Sequence, residues 1–242
     1  MSVSKKLEMR LLGPSATQRR GKRIGNRERI IEAAIELMNA RGNVVGTTQI
    51  AEHLKISPGN LYYHFTNMQA IVHEILLRLH EELSQTLALD SEEIVDEQRL
   101  VGYYSNGAMV LWRYRCVVSS SLELTSGTFE LERDYRNFTV AGMDWVFQII
   151  RNVVTHHPGP VVASHRDCKN LAENMWVLWN GWPRHVEYYR VDARVGPAAI
   201  AHGLEQIAMT LAPYVDEGFH GRVKRGLRRF VEGLQRLPDE NL

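Results

Sequence analysis

The sequence predicts an all-α protein. Apolar residues recur at spacings of three and four along most of the chain, the signature of helices that bury one face. No run alternates apolar and polar residues at period two for long enough to build a sheet. Residues that start and stop helices stand at the borders of the periodic stretches. The 242 residues suit one small module followed by a larger body. No internal repeat of roughly 20–50 residues is visible.

The first stretch, "KKLEMRLLGPSATQRRGKRIGNR", scatters basic residues among Gly13, Pro14, Gly21 and Gly25, and predicts a flexible basic arm over 1–25. Asn26 can cap the helix "RERIIEAAIELMNARG". Ile30, Ile31, Ala34, Ile35, Leu37 and Met38 form its apolar face, and Gly42 lies where left-handed C-caps sit. Thr47 offers an N-cap hydroxyl to "TQIAEHL", a helix of barely two turns. "KIS" makes a turn into "PGNLYYHF". Asn67 begins "NMQAIVHEILLRLHEELSQTLAL", whose stripe of Ile71, Ile75, Leu76, Leu79 and Leu83 suits a strut joining the front of the chain to the rear. Further helices are expected near 94–113, 114–123, 129–156, 167–189, 197–212 and 217–236, with "HHPGPVVAS" and "VDARVG" as loops. The expected division is the arm at 1–25, a module at 26–72 and a body at 73–242.

Composition narrows the function. Residues 1–66 carry eleven Lys or Arg against five Glu, a balance of +6, so the remainder of this +1 chain sums to −5. A basic front and an acidic rear place any polyanionic partner at the front. Cys116 and Cys168 are the only cysteines, too few for a disulfide scaffold or a four-cysteine metal site. No stretch approaches the roughly 18 apolar residues of a membrane span, and there is no apolar signal-peptide core, so a cytoplasmic location with no membrane partner is expected.

Two short helices joined by a tight turn, after a longer helix and a basic arm, describe a helix-turn-helix. Small Ala51 lets the second helix approach. Leu54, Ile56, Leu61 and Phe65 supply a shared core. Ser57 can cap the recognition helix, and Pro58 costs nothing at its first position. Gly59 removes a Cβ where a nucleic-acid backbone would approach, and Asn60 can reach a base edge or a phosphate. Tyr62 and Tyr63 point about 100° apart. Both can donate to phosphates, as can His64, and the helix start favours an anion. Plain core or surface roles for the two tyrosines are the alternative.

In order and without gaps, "RIIEAAIELMNARG", "TTQIAEHLKISPGNLYYHF" and a fresh helix resemble the DNA-binding domain of the TetR/AcrR family of bacterial transcriptional repressors. "GNLYYHF" followed by "LWRYRCVVSSSLEL" is also similar to a subgroup linked to polyhydroxyalkanoate metabolism. The family resemblance implies a homodimer on a palindromic double-stranded DNA operator, with a small-molecule effector bound in each rear domain. Carried over by position, Thr47, Tyr62, Tyr63 and His64 fall at phosphate contacts. Thr48, Pro58, Gly59 and Asn60 fall at bases or the groove floor. Lys55, Ser57 and Asn67 complete the predicted DNA-binding set. Two positions depart from the pattern. Lys55 stands where many members have Gly, and so is expected in a left-handed conformation or on a phosphate. Met68 stands where members commonly carry a phosphate-binding Lys. Either weaker nonspecific binding or compensation on DNA from the arm, where Arg19, Arg20, Lys22, Arg23 and Arg27 cluster, is therefore expected, with a solvated tail without a role as the arm's alternative.

All five tryptophans lie in the rear. Tyr104, Ala108, Trp112, Trp145, Ile149, Met175 and Trp179 recur at helical spacings on three central helices, and can line an apolar, aromatic cavity for a planar or acyl effector. Arg113, Glu123 and His185 are candidate polar groups for orienting it. Each aromatic residue has a plain core role as its alternative. Gly181 and Pro183 predict a kink. Ala198, Ala201, Leu204, Ile207, Ala208 and Leu211 give a face suited to close packing, either in the dimer bundle the resemblance implies or within one subunit.

Other signals weigh less. His156, His157, His165, Asp167 and Cys168 lack metal-site spacing, so no metal is expected. Cys116 beside Arg115 reads as a buried thiol before a redox sensor. The run "RVKRGLRRF" reads as a solvated helix face. No GxSxG, phosphate-cradling Gly loop or HExxH is present, so neither an enzyme nor a cofactor is expected. A DNA-binding protein whose rear only dimerises is the alternative to a ligand-responsive repressor.

Overall fold

The structure, a computed structural model, describes residues 25–41, 45–90, 92–118, 129–189 and 197–235. The chain forms α1 (Asn26–Arg41), α2 (Thr47–Leu54), α3 (Pro58–His64), α4 (Met68–Thr86), α5 (Glu97–Arg113) and α6 (Arg115–Val118). After these come α7 (Phe129–His156), α8 (His165–Tyr189), α9 (Pro197–Leu211), a 3-10 turn at Ala212–Tyr214, and α10 (Glu217–Gln235). The fold is all-α: among the described residues no strand forms, and Pro158 and Val215 make only an isolated bridge. None of the described helices is long and apolar enough to cross a membrane. The predicted arm as far as residue 24, Gly42 and Glu123 lie outside the described residues.

The chain divides into two compact units. One holds α1 to α3, α4 as far as Glu81, Arg113, α6, and α7 as far as Phe138. Its core is built from Ile30, Ile31, Ala34 and Met38 of α1, Ile50 and Ala51 of α2, Leu61 of α3, and Ile71, Ile75 and Leu79 of α4, all buried. Helices as short as α2 and α3 do not stand alone in water, and burial of Ile50 and Leu61 in this common core holds them. Asn39 ties α6 into the unit: its Nδ2 donates to the Arg113 carbonyl at 2.8 Å and its Oδ1 accepts from the Cys116 amide at 3.0 Å. Burial pushes the Cys116 thiol up to about 12, so it stays protonated and structural.

The other unit holds α4 from Glu82, α5 as far as Trp112, α7 from Thr139, and α8 to α10. Two glycines let its helices approach closely. A Cβ on Gly142 of α7 would lie 2.0 Å from the Trp176 ring of α8. One on Gly107 of α5 would lie 3.0 Å from Trp179. Asn152 pins the segment before α5, donating to the Glu93 carbonyl at 2.7 Å and accepting from the Val95 amide at 2.9 Å. The histidines of the discounted cluster have separate tasks. His157 stacks on Phe219 with centroids 4.0 Å apart, His165 sets an edge against Phe147, and His156 bonds the Asn152 carbonyl.

Helix α8 continues through Gly181 and Pro183, so the missing Pro183 amide does not end it. On α9, Leu204, Ile207, Ala208 and Leu211 are buried within the single chain, so that face packs inside one subunit. The side chains of Ala198 and Ala201 lie outside the described residues.

Candidate nucleic-acid interface and ligand region

The turn between α2 and α3 rests on Lys55. It sits in the left-handed region, φ 54° and ψ 42°, and is the only non-glycine with positive φ among the described residues. Its amide donates to the Glu52 carbonyl at 3.0 Å and the Ile56 amide to the Ala51 carbonyl at 3.0 Å, the pair of bonds that closes a helix in a Schellman motif. Ser57 then starts α3: its Oγ accepts from the Asn60 amide at 3.2 Å, with Pro58 at the first helical position.

Two predicted caps are used otherwise. At α2 the cap is Gly46, whose amide donates to Gln49 Oε1 at 2.6 Å. The Thr47 hydroxyl instead meets the Tyr62 hydroxyl at 3.2 Å. Asn26 lies inside α1, and its side chain accepts from Arg29 Nη1 at 3.1 Å while donating to Asn60 Oδ1 at 3.2 Å. Neither contact has a local sequence signal, because Thr47 and Tyr62 are 15 residues apart and Asn26 and Asn60 are 34 apart.

The predicted DNA-binding residues lie on α3 and its borders, apart from Thr47 and Thr48 at the start of α2. Tyr63 is 86% exposed and Tyr62 51%. Thr48, Lys55, Ser57, Pro58, Gly59, Asn60 and Asn67 are exposed, and Thr47 and His64 are half-buried. His64 sets its ring edge-on to Tyr63, with centroids 5.1 Å apart. Asn67 caps α4, its Oδ1 accepting from the Ala70 amide at 2.8 Å. Met68 is the first residue of α4 and half-buried.

Ion pairs fasten this unit internally. Arg27 reaches Glu74 with both nitrogens, at 2.9 and 2.6 Å, and lies 5.0 Å over the Phe65 ring. It belongs to the clamp between α1 and α4, and not to the arm's basic cluster. Arg78 holds Glu28 the same way, and Arg113 reaches Glu32 at 2.9 Å. Arg113 is therefore engaged with α1. Hydrogen bonding to Arg78 holds the Glu28 carboxyl below its ordinary range, and hydrogen bonding to Arg27 does the same for Glu74.

The predicted ligand set divides. In the second unit the Tyr104 hydroxyl points at Met175 Sδ at 3.9 Å, and its ring stands edge-on to Trp179 with centroids 6.2 Å apart. Trp179 is 6% exposed, and its Nε1 has no hydrogen-bond partner among the described residues. Burial raises the Tyr104 phenol, which stays neutral. Trp112 and Ile149 are buried, whereas Ala108 is half-buried. Trp145 is half-buried and lines a separate cleft of about 470 Å³ with Leu87, Leu89, Gln148, Arg151 and His156. His185, the remaining described polar candidate, is exposed beside Trp182 with ring centroids 5.3 Å apart.

A family model described as bacterial regulatory proteins, tetR family, matches residues 30–75, and one described as a bacterial transcriptional repressor matches residues 78–222. No curated protein matches the chain. Among solved structures, a TetR-family transcriptional regulator from Marinobacter aquaeolei VT8 is 23% identical with TM-score 0.76, covering 86% of this chain and 99% of its own. A tetR-family regulatory protein from Rhodococcus RHA1 is 20% identical with TM-score 0.61, covering 80% and 99%. SmeT in complex with triclosan is 19% identical with TM-score 0.55, covering 80% and 93%.

Proposed function

The chain belongs to the tetR family of bacterial transcriptional regulators, and on that premise we propose that it is a ligand-responsive repressor. It binds a palindromic operator as a dimer and releases it on binding a small apolar, acyl or aromatic effector. The membership is of the family as a whole: neither family description nor any structure named above speaks of polyhydroxyalkanoate. One observation carries the DNA reading. Helix α3 buries Leu61 and leaves Pro58, Gly59, Asn60, Tyr62 and Tyr63 open, which is the face a recognition helix offers to a major groove. Residues 26–72 form the DNA-binding domain in this reading, and 73–242 the effector and dimerisation domain.

The dimer uses the outward sides of α8 and α9, where Val177 is 62% exposed and Met209 59%, since the inward side of α9 is already filled. The effector binds in the second unit beside Tyr104, Met175 and Trp179, where Trp179 Nε1, without a partner among the described residues, gives a donor that an effector oxygen can take. Triclosan bound to SmeT gives one aromatic compound class to try first. Helix α4 runs through both units, so a shift in its arrangement re-spaces two recognition helices set about 34 Å apart. Such a shift requires an effector that binds the DNA-incompetent arrangement better. The arm at 1–25 adds phosphate contacts.

Selection of bound DNA from a random pool by the full chain tests the whole reading. Enrichment of a two-fold symmetric site is the expected result, and recovery of no sequence would refute it. Titrating phenolic and acyl compounds into that complex then tests release. Deleting residues 1–23 is expected to flatten the salt dependence of affinity, and an unchanged slope removes the arm from the interface.

A further inference from the structure

Asn60 does not stand free on the recognition helix. Its side chain ends a short relay that starts on α1: Arg29 Nη1 lies 3.1 Å from Asn26 Oδ1, and Asn26 Nδ2 lies 3.2 Å from Asn60 Oδ1. The direction of this relay follows from chemistry. A guanidinium has only donors, so the Asn26 atom facing Arg29 must be the carbonyl oxygen. The other end of the Asn26 amide is then its NH2, and the Asn60 atom facing it must again be the oxygen. Asn60 thus turns its acceptor toward α1. Its NH2 makes no hydrogen bond among the described residues, and the residue is exposed.

We propose that Arg29 and Asn26 fix the polarity of the Asn60 amide, so that the recognition helix meets one base of each half-site with a donor. This rests on the DNA-binding reading above. An unrestrained asparagine pairs with adenine through both its oxygen and its NH2. Asn26 takes one of the two lone pairs of the Asn60 oxygen and holds that end toward α1, so the two-point pairing with adenine is disfavoured. The bases best served by the outward NH2 are those with major-groove acceptors. Guanine presents two, N7 and O6, whereas thymine O4 and adenine N7 present one each, and cytosine offers only a donor. Asn60 therefore favours guanine and disfavours cytosine. Asn26 and Arg29 act as positioning residues that touch no base.

The test compares random-pool selections by the wild-type chain, Asn60→Ala and Asn26→Asp. An aspartate at 26 accepts from Arg29 and from the Asn60 NH2, which turns the Asn60 amide over and presents its oxygen. Wild type is expected to favour guanine at one half-site position by about tenfold, roughly the worth of one hydrogen bond. Asn60→Ala is expected to lose that preference, which identifies the position. Asn26→Asp is expected to move it to cytosine or adenine, the bases with a major-groove donor. If Asn26→Asp weakens all sequences alike, or keeps guanine, the proposal is overturned and the regulator reading stands. If wild type enriches no sequence, the regulator reading fails and takes the proposal with it. Matching thermal melts of the three proteins keep misfolding out of the comparison.

Discussion

Arg78 grips Glu28 with both ends of its guanidinium, Nη1 2.7 Å from Oε1 and Nη2 2.6 Å from Oε2. The Arg27–Glu74 pair repeats the contact with the charges exchanged, the cation now on α1 and the carboxylate on α4. Two opposed bidentate pairs oppose both sliding and rotation of α1 on α4. In the proposed mechanism this clamp makes α1, and through it the helix-turn-helix, follow the strut.

The clamp gives stability an acid limit. The Glu28 and Glu74 carboxyls are held below their ordinary value of 4.5 in the fold. A depressed carboxyl adds stability above its unfolded value, and that stability is lost as pH falls through the folded value. Melting temperature is therefore expected to drop as pH goes below about 4.5. Glu28 is 43% exposed, so solvent screening limits Glu28→Gln to a loss of about 0.5–1 kcal/mol at neutral pH. The variant should also have a shallower acid slope. Melts of both proteins across pH decide this: identical slopes would mean the pair contributes nothing.

In the proposed interface Tyr62 is a DNA contact without charge. Its hydroxyl is positioned by Thr47 at 3.2 Å. Tyr62→Phe removes this hydroxyl and leaves the ring, so operator affinity should fall about tenfold, the worth of roughly one hydrogen bond. No charge is lost, so the salt slope should not move. Fluorescence anisotropy titrations at several salt concentrations measure both. Unchanged affinity would place the hydroxyl off the DNA.

At Lys55 stability and binding are expected to move in opposite directions. A lysine at φ 54° carries a left-handed strain of about 1 kcal/mol that glycine lacks. Lys55→Gly should raise unfolding free energy by up to about 1 kcal/mol, less the extra entropy of its unfolded chain. If the ammonium meets a phosphate, the same change weakens DNA binding and lowers the salt slope by about 0.9. A stabilised variant with unaltered binding would leave Lys55 with no DNA role.

Sequence reading succeeded where structure is local. Met68–Thr86 and Phe129–His156 fall where apolar spacing and Asn67 placed them, because a helix writes its period into its own residues. It failed where a side chain answers to a distant partner. Arg27 and Arg113 look like free cations in any short window. They are neutralised by Glu74, 47 residues away, and Glu32, 81 away. Asn26 and Thr47 have the chemistry of caps, but distant amide and hydroxyl groups claim them first. Spacing put Trp145 on the same kind of face as Tyr104 and Trp179, yet periodicity does not say which neighbour a face meets.

Gly142 tests the packing of the second unit. A methyl there would overlap the Trp176 ring, whose three nearest atoms lie 2.0, 2.1 and 2.7 Å away. Trp176 is 5% exposed, so a rigid buried indole must move. Gly142→Ala gains about 1 kcal/mol of helix propensity against an overpacking cost of about 1–3 kcal/mol. Net destabilisation is expected in denaturant unfolding. A more stable variant would show that α7 and α8 can part freely.

Met68 reports on where α4 begins relative to DNA. It is half-buried at the first turn, beside the Asn67 cap. Met68→Lys places a cation at a helix start, where the dipole opposes it by about 0.3–1 kcal/mol, so the free protein should be slightly less stable. Against DNA the same charge releases one more counterion. Operator affinity should rise and its salt slope steepen by about 0.9. The two effects separate cleanly, since the stability loss is measured without DNA. Affinity and slope that both stay at the parent's values would mean that the start of α4 lies away from the phosphates.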